Sequence, residues 1–374
     1  MSWRSCKLGD VMTLKRGHDL PADSRHDGDV PVVSSSGITG RHNESKAKAP
    51  GVVTGRYGTI GQVFYLEEDY WPLNTALYVI DFKGNDPQFL AYFLRNVLNG
   101  YQSEKAAIPG VDRNVLHQIE VRAPDFNTQQ RIVAILATYD DLIENNRRRM
   151  TLLEDSVRLL FSDWFIRLRF PGHEHTSLVD GVPQGWEKLS ARDAIEINPK
   201  VKLSEADEHW FVEMADLPTD SMVIQNWKMR DGRSGPKFQN GDTLFARITP
   251  CLENGKTGFV NFMAQDESGR GSTEFIVLRS KRVTPEFVYC LARTYEFRGN
   301  AIKSMVGSSG RQRVQESCFG KFMVYIPPPS LLRLFSEFAE PAFEQIKNLN
   351  AQSKKLRAAR DLLLPRLMSG ELAA

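Results

Sequence analysis

Apolar residues in this chain follow two different periods, and the alternation between them occurs twice. Up to about residue 125, short apolar runs separated by Gly, Ser and Asn read as strands: Val30-Pro31-Val32-Val33, Val52-Val53-Thr54, Gln62-Val63-Phe64-Tyr65-Leu66 and Ala76-Leu77-Tyr78-Val79-Ile80. Pro87 then opens a helical pattern with Phe89, Leu90, Phe93, Leu94, Val97 and Leu98 on one face. Leu116 to Val121 predicts a closing strand before Pro124. From Thr128, the expected cap, to about Arg167 the steps become three and four: Ile132, Ile135, Tyr139, Leu142, Asn146, Met150, Leu153, Val157, Leu160, Trp164. The four-residue step after Asn146 is a stutter, and an Asn on the apolar side fixes register at some cost in stability. Such a helix would be about 57 Å long at 1.5 Å per residue.

The second half repeats this plan. Trp186 answers Trp3, Pro285-Glu286-Phe287-Val288 answers Pro87-Gln88-Phe89-Leu90, and Thr243-Leu244-Phe245-Ala246-Arg247 answers Val52-Val53-Thr54-Gly55-Arg56. The helix after Pro329 answers the helix after Pro124, with Ile346, Leu349, Leu356, Leu363 and Leu367 on one stripe. Two long stripes in one chain satisfy each other by packing side by side, and a pseudo-twofold repeat makes them antiparallel. The expected fold is therefore α+β. Two mixed, β-rich domains at 1–125 and 168–329 are separated by two long antiparallel helices, at 126–167 and 330–374, forming a coiled coil. Ile135, Tyr139, Leu142, Leu153, Val157, Leu160, Ile346, Leu349, Leu356 and Leu363 are its expected helix-to-helix contacts.

At 374 residues the chain is long enough for two or three domains with cores. Lys plus Arg number 48 against 46 Asp plus Glu, so any basic surface has to be local. The four cysteines are scattered without a CxxC, which fits a reducing cytoplasm. The start of the chain is too short and polar for a signal peptide, and no apolar run nears the roughly 18 residues that span a bilayer. These features point to a soluble protein with no membrane role.

Catalytic motifs fail one by one. Asn254-Gly255-Lys256-Thr257 resembles the end of a phosphate-binding loop, but the position that needs its first glycine holds Pro250. Gly55, Gly58 and Gly61 are spaced GxxGxxG, which suits tight turns rather than a dinucleotide site. Asp29 with Glu44-Ser45-Lys46 imitates a metal-dependent nuclease, yet lies in a Ser/Gly/Asn loop without a strand to hold carboxylates on a metal. His173-Glu174-His175 reads as a solvated linker, and Asn198-Pro199-Lys200 as a turn. No catalytic residue and no metal ligand is expected.

Basic, amide and hydroxyl side chains on glycine-rich loops remain, and they occur in both copies. Arginine forks onto guanine O6 and N7, asparagine brackets adenine, and Ser, Thr or Lys hold phosphates. The candidates in the first copy are Arg41, Asn43, Lys46, Lys48, Arg56, Tyr57, Thr59, Lys105 and Arg113. In the second they are Arg233, Lys237, Arg247, Thr249, Ser308, Ser309, Arg311, Gln312 and Arg313.

Gln129-Gln130-Arg131-Ile132-Val133-Ala134-Ile135-Leu136, Asp140-Asp141-Leu142-Ile143-Glu144-Asn145-Asn146-Arg147-Arg148 and Leu160-Phe161-Ser162-Asp163-Trp164-Phe165 resemble the central conserved region of type I restriction–modification specificity subunits. Trp71 to Val79, Pro183 to Leu189 and Leu363 to Leu372 resemble further signatures of that family, in the same order. The resemblance implies a non-catalytic reader of double-stranded DNA with two target-recognition domains and a gapped, bipartite target. It implies no cofactor of its own. Two modification subunits would carry S-adenosylmethionine, and restriction subunits, where present, would use ATP and Mg²⁺. The second copy departs from the pattern, reading Ser330-Leu331-Leu332-Arg333 without the Gln-Gln pair. An orphan or antirestriction protein of the same build and, from a different class, a metal-dependent nuclease are the alternatives. Phe161, Trp164 and Phe165, with Leu364 and Leu367, exceed what two helices alone bury; they suit either a core against the recognition domains or a partner surface, and a mixed role is expected, the inner residues closing the helix pair and the outer ones docking the modification subunits.

Overall fold

The first long helix begins where a strand ending at Pro124 hands the chain to a capping residue, Asp125, and the second begins directly at Pro329. The computed structural model describes residues 3–56, 61–99, 111–203, 205, 207–308 and 310–374. In chain order the first repeat comprises β1 (Trp3–Lys7), α1 (Leu8–Val11), β2 (Thr13–Arg16), β3 (Val30–Ser34), β4 (Gly37–His42), β5 (Gly51–Gly55), β6 (Val63–Leu66), β7 (Trp71–Pro72), β8 (Ala76–Asp81), α2 (Pro87–Asn99), α3 (Arg113–Gln118), β9 (Glu120–Pro124) and α4 (Phe126–Phe161). The second comprises a small hairpin of β10 (Leu178–Val179) and β11 (Val182–Pro183), then β12 (Glu187–Ser190), α5 (Ala191–Ala194), β13 (Ile195–Ile197), β14 (Glu208–Val212), β15 (Lys228–Asp231), β16 (Lys237–Gln239), β17 (Thr243–Ala246), β18 (Thr257–Phe259), β19 (Ser268–Gly271), β20 (Phe275–Ser280), α6 (Pro285–Arg293), α7 (Tyr295–Lys303), β21 (Met323–Ile326) and α8 (Pro329–Ser369). By contacts the chain forms two units, 1–143 with 354–374, and 144–353. The division cuts both long helices instead of following the expected boundaries at 125, 167 and 329, because each β-rich domain packs on half of each helix. No helix among the described residues is long and apolar enough to cross a membrane.

In the first unit β1 pairs antiparallel with β9, Trp3 lying opposite Pro124. The main sheet has the order β2-β8-β5-β6, and a smaller sheet the order β4-β3-β7 with β3 and β7 parallel. Every residue of β5 is buried, as its apolar run requires. Phe89, Leu90, Phe93 and Leu94 of α2 share a core with Val52, Leu77 and Val79 of the sheet, Ile132 and Leu136 of α4, and Leu364, Leu367 and Met368 of α8. Tyr92 donates to Asp140 at 2.5 Å, and the same carboxylate takes Arg360 of α8. Gln129, buried at 1 % exposure, donates to Asn85 at 2.8 Å and to the Pro124 carbonyl at 3.0 Å, and accepts the Asp86 N–H at 2.9 Å.

The second unit repeats the scheme. β12 pairs with β21, the main sheet is β13-β20-β17-β18, and the smaller sheet is β15-β14-β19-β16, with β14 and β19 parallel. Phe161 packs on Phe287 of α6 with ring centroids 4.8 Å apart, and Phe165 lies 5.0 Å from Phe287 and 5.2 Å from Phe335 of α8. Burying each such ring contributes roughly 2–3 kcal/mol. Glu154 of α4 is buried, accepting Tyr289 Oη at 2.5 Å and the Met222 N–H at 2.8 Å. Leu331 and Leu332, where the first copy has its Gln-Gln pair, are buried apolar residues, so that helix start is held by packing where Gln129 uses hydrogen bonds.

Several expectations are corrected. Asp125, not Thr128, caps α4, its carboxylate accepting the Thr128 N–H at 3.0 Å. Residues 116–118 end a helix capped by Asp112, whose carboxylate accepts the Asn114 N–H at 2.8 Å, and the closing strand starts at Glu120. Leu142 is 47 % exposed, while Leu136 is buried and Ile135 only partly so. A straight helix of 3.6 residues per turn drifts against a 3.5-residue reading, so the buried stripe slips by one position. Of the remaining seam residues, Val157, Ile346 and Leu349 are buried, while Tyr139, Leu153, Leu160, Leu356 and Leu363 are half-buried. Phe161, Phe165, Leu364 and Leu367 are buried at 0–6 % exposure within their own units, leaving them no surface for a partner. The β-rich domains supply the burial that two bare helices lack.

Candidate nucleic-acid interface

Both main sheets end in the same backbone junction. After β5, the Arg56 N–H donates to the Thr75 carbonyl at 3.0 Å, and the Arg56 carbonyl accepts the Val111 N–H at 2.9 Å. After β17, the Arg247 N–H donates to the Glu274 carbonyl at 3.0 Å, and the Arg247 carbonyl accepts the Val314 N–H at 2.9 Å. An arginine thus leaves the central strand at the same point in both repeats, between the start of the next strand and a returning loop. Backbone bonds make the junction, so side chains around it are held by geometry that does not depend on their identity.

In the second unit this junction gathers a loop cluster. Ile248 bridges Arg313, Val306 bridges Arg313, and the Gln312 N–H donates to Thr249 Oγ1 at 3.1 Å. Arg247 is half-buried, 4.0 Å from Glu316, with Nη2 at 3.4 Å from the Val314 carbonyl. Arg313 forks onto Glu274, Nη2 at 2.6 Å and Nε at 2.9 Å from its carboxylate oxygens. These bonds, then Arg247 nearby, hold the Glu274 carboxyl below its ordinary range although burial opposes them. Ser308 and Arg311 are exposed on the same returning loop, with the Arg311 N–H on the Ser308 carbonyl at 3.0 Å. The structure therefore brings Arg247, Thr249, Ser308, Arg311, Gln312 and Arg313 together. Arg233 and Lys237 lie apart from them, on the loop after β15 and at the start of β16.

The first unit is less convergent. Arg56 is half-buried at its junction, and Arg113 is exposed on α3, two residues after Val111. Burial, with Arg113 adding to it, lowers the pKa of His117, whose Nε2 accepts the Leu14 N–H at 2.9 Å. Arg41, Asn43, Lys46 and Lys48 lie exposed on β4 and the loop after it. Arg41 donates to the Asp29 carbonyl, Lys48 pairs with Asp69 at 2.6 Å, and Lys46 sits 4.8 Å above the Trp71 ring and 4.0 Å from Glu44. Tyr57, Thr59, Lys105 and Ser309 lie outside the described residues. Among the described residues no group of His, Cys, Asp or Glu is placed to hold a metal ion.

Sequence reasoning missed Glu274, the acid that orients Arg313, and Arg270, a buried arginine in the second small sheet. Its signal was Ser268-Gly269-Arg270-Gly271. A Cβ at Gly269 would meet Phe238 at 2.5 Å, and one at Gly271 would meet Phe275 at 2.5 Å, so aromatic packing demands both glycines around one cation.

A duplicated β-rich module thus carries arginine, amide and hydroxyl side chains at a repeated strand end. Residues 2–155 match the family model of the type I restriction modification DNA specificity domain. The chain is 24% identical over 304 residues to the specificity subunit of the type I restriction enzyme MjaIX of Methanocaldococcus jannaschii, covering 76% of this chain and 66% of that one. It is 30% identical over 156 residues to the EcoAI specificity subunit of Escherichia coli, covering 39% of this chain and 26% of that one. It is 21% identical over 385 residues to the HindI specificity subunit of Haemophilus influenzae, covering 83% and 84%. The chain thus spans just under two thirds of the first of these relatives and about a quarter of the second. A crystal structure of the type I restriction-modification S subunit from M. genitalium has the same fold, with a TM-score of 0.58, 14% identity and 98% of this chain covered. The chain is thus similar to type I restriction–modification specificity subunits, most directly over residues 2–155.

Proposed function

We propose that this chain reads a bipartite, gapped duplex target, one half-site per recognition domain, and seats methyltransferase subunits that modify the site, without catalysing a step itself. The observation that carries this reading is the repeated junction at Arg56 and Arg247, which offers two similar frames carrying different side chains. Different loops on one frame are what two different half-sites require. Base contacts then specify, while lysines and further arginines on phosphates position the duplex. S-adenosylmethionine would sit on the modification partner, and ATP with Mg²⁺ on a restriction partner where one joins.

The docking surface for those partners is proposed on the outer face of the helical part of the second unit. Leu152, Leu159 and Ile166 recur every seven residues and are 43–66 % exposed, and Leu334 and Phe338 of α8 are 43 % and 47 % exposed. Leu159, Trp164, Leu334 and Phe338 line one open groove of about 690 Å³. A seven-residue apolar stripe left in solvent is the half-seam of a helix-in-groove contact. Methylome sequencing of cells with and without the gene tests the reading: a gapped methylated motif should vanish with the gene. A continuous motif, or an unchanged methylome alongside expressed partner, would contradict it.

A further inference from the structure

We infer that the outer face of the sheet β15-β14-β19-β16 is a second DNA-contacting surface, one that grips backbone phosphates, with Arg270 as its buried anchor. This rests on the DNA-reading function proposed above and adds a site to it. Paired residues of neighbouring strands put their side chains on the same face. Phe211 pairs with both Lys228 and Arg270, and Arg270 pairs with Lys237, so one row across the sheet reads Lys228, Phe211, Arg270, Lys237. Arg230, two residues after Lys228, lies on that face as well. The opposite face, with Val212 and Phe238, belongs to the core.

Stability alone does not account for this row. Like charges set directly opposite one another in a sheet are destabilising, and an arginine 2 % exposed is expected to have an acid partner. Arg270 has no ion pair among the described residues. Its Nη2 donates to the carbonyls of Arg230, at 3.0 Å, and Asp231, its Nη1 reaches the Ser234 carbonyl at 3.4 Å, and its Nε is buried without a partner. The guanidinium groups of Arg270 and Arg230 lie 4.7 and 4.8 Å from the Phe211 ring centre, which fixes both in place. Of the acids nearby, Glu213 is engaged by Lys228 at 2.5 Å and Arg230 at 3.8 Å, and Asp231 acts on Arg270 through space.

Beside the row lies a cavity of about 370 Å³ lined by Arg230, Arg270, Ser234, Ser272 and Thr273, and also by the acids Glu213 and Asp231. Lys228 and Arg230 already engage Glu213, and with Arg270 the cations at this face outnumber its two carboxylates; together with three hydroxyls they suit a phosphodiester. The next residue after Thr273 is Glu274, which bonds Arg247 and Arg313, so the cavity and the loop cluster share one turn. A duplex lying on the cluster would present its backbone to this face.

The test uses the full-length chain and a 30-base-pair duplex of arbitrary sequence, with affinity measured by fluorescence anisotropy against salt. Arg230→Gln and Lys237→Gln should each reduce the slope of log affinity on log salt by about one, equally for any sequence. Arg270→Lys, which keeps the charge, should bind with an intermediate loss and an unchanged circular dichroism spectrum. Unaltered slopes in folded Arg230→Gln and Lys237→Gln, with wild type binding normally, overturn this inference and leave the proposed function standing. A wild type that binds no DNA overturns both. A loss confined to one base position overturns phosphate contact. Inorganic phosphate supplies the remaining arm: if it perturbs the wild-type protein but not Arg230→Gln, while DNA slopes stay unaltered, the cavity takes free phosphate and the inference falls.

Discussion

The carbonyl of Arg247 accepts the N–H of Val314 at 2.9 Å, and 191 residues earlier the carbonyl of Arg56 accepts the N–H of Val111 at the same distance. The strands before them and the loops after them differ in sequence, yet the backbone closes identically. Two arginines at equivalent corners of two β-rich domains are therefore the natural first targets for mutation.

Arg56→Ala and Arg247→Ala should each weaken DNA binding. Loss of a phosphate contact lowers affinity for all sequences and reduces the salt slope by about one, whereas loss of a guanine contact costs about 1–3 kcal/mol at one base pair. Titration of both variants with the methylated motif and its single-base variants separates the two results. Unchanged affinity and slope in both would make these arginines structural.

Phe338→Glu and Leu159→Asp should abolish co-purification with the modification subunit while leaving the chain folded, because both side chains already face solvent. Phe165→Ala should behave differently. It empties a core position between Phe287 and Phe335 and should cost about 3–5 kcal/mol, read as a fall in thermal midpoint. Normal co-purification by both exposed-site variants would place docking elsewhere.

Glu154 gives a pH signature. Burial raises its pKa, with the bonds from Tyr289 and Met222, and Arg293 and Arg158 nearby, opposing. A carboxyl raised in the folded state stays protonated there while its unfolded counterpart ionises near its ordinary value of about 4.3. Its stabilising contribution is complete below that value and is lost as pH rises through the folded pKa. The stability of wild type relative to Glu154→Gln should therefore increase as pH falls across that window, measured by urea denaturation at each pH. A difference independent of pH would show that Glu154 titrates alike in both states.

Removing seven residues from each of α4 and α8 should alter the number of unread base pairs in the methylated motif and leave each half-site as it was. Methylome sequencing reads both. A change in the half-sites themselves would show that the helices shape the recognition domains as well as spacing them.

The strands and both long helices were legible because their periods are strong: Val52 to Thr54, Ala76 to Ile80 and the helix after Pro87 all fall inside the observed elements. The side of each helix that is buried was less legible. A heptad reading assumes one partner helix, whereas α4 also packs on a recognition domain, which turns Glu154 and Phe161 inward and leaves Leu142 in solvent. Thr128 was a reasonable cap by residue type, but Asp125 stands one residue ahead of the first helical position and caps with a carboxylate. The loop cluster around Arg247 was half visible: its basic and amide residues stand out, while the acid that orients Arg313 comes from a turn 39 residues away. Arg270 gave only its flanking glycines as a signal, and cross-strand neighbours are invisible in a linear chain.

Tyr92 on Asp140 and Tyr289 on Glu154 fasten each β-rich domain to a long helix through one phenol and one carboxylate. A domain excised at residue 125 or residue 168 would leave its tyrosine facing a missing acceptor and its core open along one side. The portable piece is larger than the reader itself: it includes the half-helices, with seams at 143/144 and 353/354. Chimaeras joined mid-helix, where one turn of helix looks much like another, should exchange target specificity without exchanging stability.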